Sequence, residues 1–223
     1  MGILETRIGR FAKLHFQKFW NTFVRTKLPW VDAFPEEYWK SRQIGEPHGP
    51  HQYLELQTGS YALLGEVVRL ASGPEAPILD MGCNVGRHLN ALHKCGFTNL
   101  HGVDVQKAAI ELMGQVFPEM AAKALVEQGT FRNYLCKTPG RFFEVVFTYG
   151  ATVELIPPDF SVCQHMARIA SRAVIMVISE DDHSFPRYWQ IEFLRAGFWL
   201  TRRERPVHAG SGASLLVFRR IFS

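Results

Sequence analysis

The stretch Ile78-Leu79-Asp80-Met81-Gly82-Cys83-Asn84-Val85-Gly86-Arg87-His88-Leu89-Asn90-Ala91-Leu92 constrains this chain more than any other. It opens with a short apolar run, turns through two glycines and regains helical spacing at Val85, Leu89 and Leu92, so it reads as strand, tight turn and helix. At such a turn the strand's carboxyl end and the helix's free N–H groups face one crevice, and glycine permits positive φ and a close ligand. The alternation of strand and helix that follows predicts a parallel, doubly wound sheet with right-handed crossovers.

The turn also narrows the ligand. A dinucleotide fingerprint needs Gly-x-Gly-x-x-Gly, but counting from Gly82 the second and third glycine places hold Asn84 and Arg87. The strand ends at Asp80, whose charge repels phosphate and suits a cationic group. A second apolar run, Leu100-His101-Gly102-Val103-Asp104-Val105, brings a carboxylate 24 residues further on, close to the spacing of an acid that binds ribose hydroxyls. A ribose and a cation without phosphate describe S-adenosylmethionine.

Asp80-x-Gly82-x-x-x-Gly86, Gly102-Val103-Asp104-Val105 and Phe143-Glu144-Val145-Val146-Phe147-Thr148, taken together in that order, resemble motifs I, II and IV of the class I S-adenosylmethionine-dependent methyltransferases. The resemblance runs from Ser60 to the C-terminus. It implies an α/β fold whose seven-stranded, mostly parallel sheet ends in an antiparallel C-terminal β-hairpin. It also implies that Asp80 and the turn Gly82 to Gly86, Cys83 and Asn84 included, meet the methionine moiety of the cofactor. Asp104 would take the ribose hydroxyls, Val105 an adenine face, and Thr148 the region near the sulfur, with Tyr149 lining the acceptor pocket. Where the family commonly places an acid for the adenine amino group, this chain has Gly129-Thr130-Phe131, so the Thr130 hydroxyl and the Phe131 ring are the substitutes. Cys83 also reads as a small neutral filler of the turn.

Charge divides the chain. Through Leu28 six basic residues stand against Glu5, so a net charge of +4 for the whole chain leaves the remainder slightly acidic. That distribution argues against a nucleic-acid surface across the domain. Residues 3–24 carry apolar positions at Ile8, Phe11, His15, Phe19 and Phe23 among basic and polar ones, which predicts a basic amphipathic helix ended by Pro29. Its readings are membrane-surface contact, RNA contact, a lid, or packing on the domain or on a second subunit, the last making a homodimer. A short helix from Pro35 puts Tyr38 and Trp39 forward as lid residues by resemblance. We divide the chain into an N-terminal helical extension, residues 1–56, and a methyltransferase domain, residues 57–223.

No run is apolar enough for a transmembrane helix. The four cysteines form no Cys-x-x-Cys pair and no zinc spacing with histidine, so no metal is expected. Free thiols suit a cytoplasmic location. Methyl transfer to an alcohol, phenol or ammonium needs a base with a pKa near the working pH. Glu154, after the fourth strand, and His183, beside Glu180, Asp181 and Asp182, are the catalytic candidates. The expected reaction is transfer to an oxygen or nitrogen of a small molecule. The alternatives are an RNA or protein methyltransferase holding its substrate with the basic helix, and a cofactor-binding regulatory module without turnover.

Overall fold

The computed structural model describes residues 7–31, 36–150 and 152–222. Seven strands, β1 Ile78–Met81, β2 Leu100–Asp104, β3 Leu125–Gln128, β4 Phe143–Tyr149, β5 Ala170–Ile178, β6 Phe198–Glu204 and β7 Ser214–Arg220, form one sheet in the order β3-β2-β1-β4-β5-β7-β6. The first five are parallel, and β7 runs antiparallel to both β5 and β6. Strand order reverses between β1 and β4, which opens a crevice beyond their carboxyl ends.

The helices are α1 Arg7–Phe19, α2 Glu36–Ser41, α3 Thr58–Leu70, α4 Arg87–Lys94, α5 Lys107–Val116, α6 Pro118–Ala121, α7 Phe131–Lys137, α8 Val162–Ile169 and α9 Trp189–Arg195. They cover both faces of the sheet, so its central strands are buried on both sides. Ile78, Val145, Phe147 and Val177 pack with Leu63 and Val67 of α3 and Leu89 of α4. Leu79, Met81, Val146 and Val174 pack on the other face with Leu135 of α7 and Met166 of α8. Side chains alternate along a strand, so successive β1 residues serve different cores.

The helix before β1 starts at Thr58, where Gln57 and Ser60 form a reciprocal capping box. One boundary differs from the sequence expectation. The N-terminal helix passes into a π-helical turn, Trp20–Val24, and stops at Arg25 in the left-handed region, four residues before Pro29. Pro35 and the first residues of the predicted N-terminal helix lie outside the described residues.

The segment 7–31 docks on the domain through polar groups. Gln17 donates to the Ser184 carbonyl and Asn21 to the Pro186 carbonyl, and Thr22 Oγ1 accepts from the Tyr188 amide. Lys18 pairs with Asp181, and Arg25 with Glu192 at 3.0 Å. Leu28 and Val31 add a small apolar cluster around Phe185. The side of α1 expected to pack therefore points elsewhere.

Candidate functional site

A cavity of about 620 Å³ occupies the crevice at the switch point. Its base is the turn after β1. Gly82 sits at φ +78, and a Cβ there would come within 2.9 Å of Thr152, so glycine is required both by conformation and by space. Cys83 fits because β2 offers Gly102, where any Cβ would lie 2.8 Å from the Cys83 sulfur. Burial pushes the Cys83 thiol well above its ordinary range, which makes it a neutral filler rather than a nucleophile.

Asp104 ends β2 and reaches the same cavity. One carboxylate oxygen accepts from the Asn84 amide and the other from the Gln106 amide, each at 2.8 Å. These donors fix the carboxylate while leaving it acceptor capacity for a ligand. Burial outweighs them and pushes its pKa up to about 6. Asn84 itself donates to the Gln106 side chain and accepts from the Val85 amide, so its side chain organises the turn. Val105, Thr130 and Phe131 continue the wall. Thr130 also caps α7, accepting from the Asn133 amide at 3.1 Å.

Asp80 is fully buried, and neither carboxylate oxygen has a hydrogen-bond partner among the described residues. His88 Nδ1 lies 3.7 Å away, and the His88 ring, not Asp80, meets the cavity. An unpaired buried carboxylate is costly, and a cation placed just across that wall would offset the cost. Gly86 and Thr148, expected at the cofactor, stay outside the cavity. Gly86 packs beneath Met113 and Met120, and Thr148 donates to the Met81 carbonyl at 2.9 Å, clamping β4 to β1. Tyr149 emerges beyond Thr148 into the cavity, with its hydroxyl donating to Gln57.

Neither predicted base lines this cavity. Glu154 is fully buried; its oxygens accept from the Thr152 and Ser179 amides, and its carbonyl accepts from Phe185. It ties the loops after β4 and β5 together, and burial pushes its carboxyl up to about 7. His183 is exposed, at φ +69, and faces an adjoining chamber of about 170 Å³ that shares Gln57, Tyr149 and Gly150 with the main cavity.

Several wall residues escaped the sequence reading. Arg87, buried at the start of α4, donates to the Glu55 carbonyl at 2.8 Å and lies near the rings of Tyr53 and Tyr149. Its position directly after the Gly86 turn was a signal that could have found it. Tyr53 and Phe185 come from segments far away in sequence, and no local pattern marks them. Trp39 lines the cavity, while Tyr38 bonds to His48.

Residues 78–172 match the family model of a methyltransferase domain. No curated protein sequence matches the chain significantly. Magnesium protoporphyrin IX methyltransferase from Synechocystis PCC 6803, solved with bound S-adenosylmethionine, is similar at a TM-score of 0.65 and 16% identity, over 84% of this chain and 98% of that one. The same enzyme with bound S-adenosylhomocysteine gives 0.60 and 15%, over 77% and 84%. A TehB-like S-adenosylmethionine-dependent methyltransferase from Corynebacterium glutamicum gives 0.58 and 18%, over 76% and 91%. At these identities the structural likeness is one of fold.

Proposed function

We propose that this chain, whose residues 78–172 match the model of a methyltransferase domain, is a class I S-adenosylmethionine-dependent methyltransferase that methylates an oxygen or nitrogen of a compact small molecule. One observation carries the reading. The cavity wall holds Trp39, Tyr53, Leu155 and Phe185 besides the turn and Asp104, and its volume of about 620 Å³ falls within the roughly 300–1,000 Å³ of small-molecule sites.

The residues present fit the cofactor. The Asp80 carboxylate lacks the positive partner that an ammonium beside His88 would supply, and Asp104 keeps acceptor capacity for ribose hydroxyls. Val105 and Phe131 would bound the adenine, with the Thr130 hydroxyl beside them. When bound, the sulfonium supplies the activated methyl group. Tyr149 and Gly150 border the acceptor end, and the aromatic walls exclude water and hold the acceptor in line, where positioning supplies much of the acceleration. Glu154 acts by fixing Thr152, Ser179 and Phe185. The macromolecular alternative has less support because Lys18 and Arg25 pair with the domain and only Arg10, Lys13 and Lys27 of the segment's described cations stay exposed.

Titration calorimetry with S-adenosylhomocysteine tests the cofactor site: the chain binds it, and Asp104→Ala weakens binding at least about tenfold, as expected for a lost charged hydrogen-bond acceptor. Methyl transfer from labelled cofactor into a pool of low-mass metabolites tests the acceptor. Label appearing only in RNA or protein would overturn the small-molecule reading.

A further inference from the structure

We propose that α1 and the π-helical turn form a membrane-surface element that seats this enzyme on an anionic lipid face. Ile8, Ala12, Phe16, Phe19 and Phe23 recur at helical spacing and share one side of the segment. That side points to solvent: Ile8 is 80% exposed, Phe16 44%, Phe19 50% and Phe23 39%. Trp30, 55% exposed, extends the stripe by stacking on Phe16. The opposite side is the polar one, and it is committed to the domain through Gln17, Lys18, Asn21, Thr22 and Arg25. A helix that turns its polar side inward and its aromatic side outward gains nothing from the domain for those rings. Its apolar stripe is a contact surface for something else.

The charges around the stripe select the occupant. Between Ile8 and Val31 there is no acidic residue, and after Lys18 and Arg25 are paired inward, Arg10, Lys13 and Lys27 remain exposed. Arg195 of α9, also exposed, lies over the Phe23 ring at 4.6 Å. An apolar aromatic stripe bordered by cations matches the interface of an anionic membrane, where rings enter the acyl boundary and cations meet headgroup phosphates and carboxylates. A second copy of the chain would bring the same cations against themselves.

The experiment is co-sedimentation of the full chain with vesicles of phosphatidylcholine containing phosphatidylserine and with vesicles of phosphatidylcholine alone. Binding to the anionic vesicles, weakened by salt, is expected. The double variant Phe19→Glu/Phe23→Glu should lose it by about tenfold or more, with S-adenosylhomocysteine affinity unchanged as the sign of an intact fold. Absence of the wild-type chain from the anionic pellet, or equal sedimentation of the variant, overturns the proposal. A dimer in sedimentation velocity that the double variant dissociates, without vesicle binding, assigns the stripe to a second copy. Loss of cofactor affinity in the wild-type chain would refute the cofactor site and leave the vesicle result standing.

Discussion

The tip of β1 and the loop leaving β4 each seal a carboxylate from solvent, and the two are partnered in opposite ways. Glu154 on the loop has a backbone amide on each oxygen, so its burial is used to join three segments of the fold. Asp80 at the strand tip has none, so the fold bears its burial without return. One carboxylate is satisfied within the protein; the other has only the His88 ring, 3.7 Å away. Burial and chemical type are the same in both, and the hydrogen-bond inventory separates them.

Replacing each in turn should pull stability and affinity apart. Glu154→Ala removes the acceptor for two buried amides and should lower unfolding free energy by about 3 kcal/mol, measured by denaturant titration. The folded pKa of Glu154 is raised, so its contribution is complete below 4.5 and is lost as pH rises through about 7. The gap between wild type and variant should therefore narrow toward alkaline pH. Asp80→Asn should cost affinity instead: about 2 kcal/mol, roughly thirtyfold in S-adenosylhomocysteine binding, with stability unchanged or slightly increased. A stability loss as large as that of Glu154→Ala would erase the contrast. Asp104 sharpens it at the smallest scale. Affinity for S-adenosylhomocysteine should fall several-fold as pH drops through about 6, because the acceptor protonates, and the Asp104→Asn profile should be flat. In the ligand-free protein the sign reverses, since the stability Asp104 contributes is complete below 3.8 and lost as pH rises through about 6.

The sheet and the turn at its switch point were legible because their signals are local. The apolar runs, the Gly82 turn and the Asp104 strand tip are each settled within a few residues, and the strand order follows from alternation with helices. The acceptor end was not legible in the same way. Tyr53 and Phe185 reach the cavity from opposite ends of the chain, and only tertiary packing brings them together. Glu154 was singled out by its place after the fourth strand and His183 by its neighbouring carboxylates, and neither signal reports side-chain direction. Thr148 shows the same limit: its hydroxyl turns back to Met81, and the next residue faces the cavity. For α1 the period was readable but the orientation was not. Which side faces inward is decided by Asp181, Ser184 and Pro186, more than 160 residues away.

The loop from Asp181 to Tyr188 carries a further consequence. One strip of backbone takes the grip of Gln17, Asn21 and Thr22 on one side, and presents Phe185 to the cavity on the other, with the Phe185 amide anchored to the Glu154 carbonyl. Any load on the N-terminal helix is thus delivered to the cavity wall at Phe185. A pull on the leading segment is therefore felt at Phe185 and, through Glu154 and the Thr152 that crowds Gly82, at the turn after β1 as well.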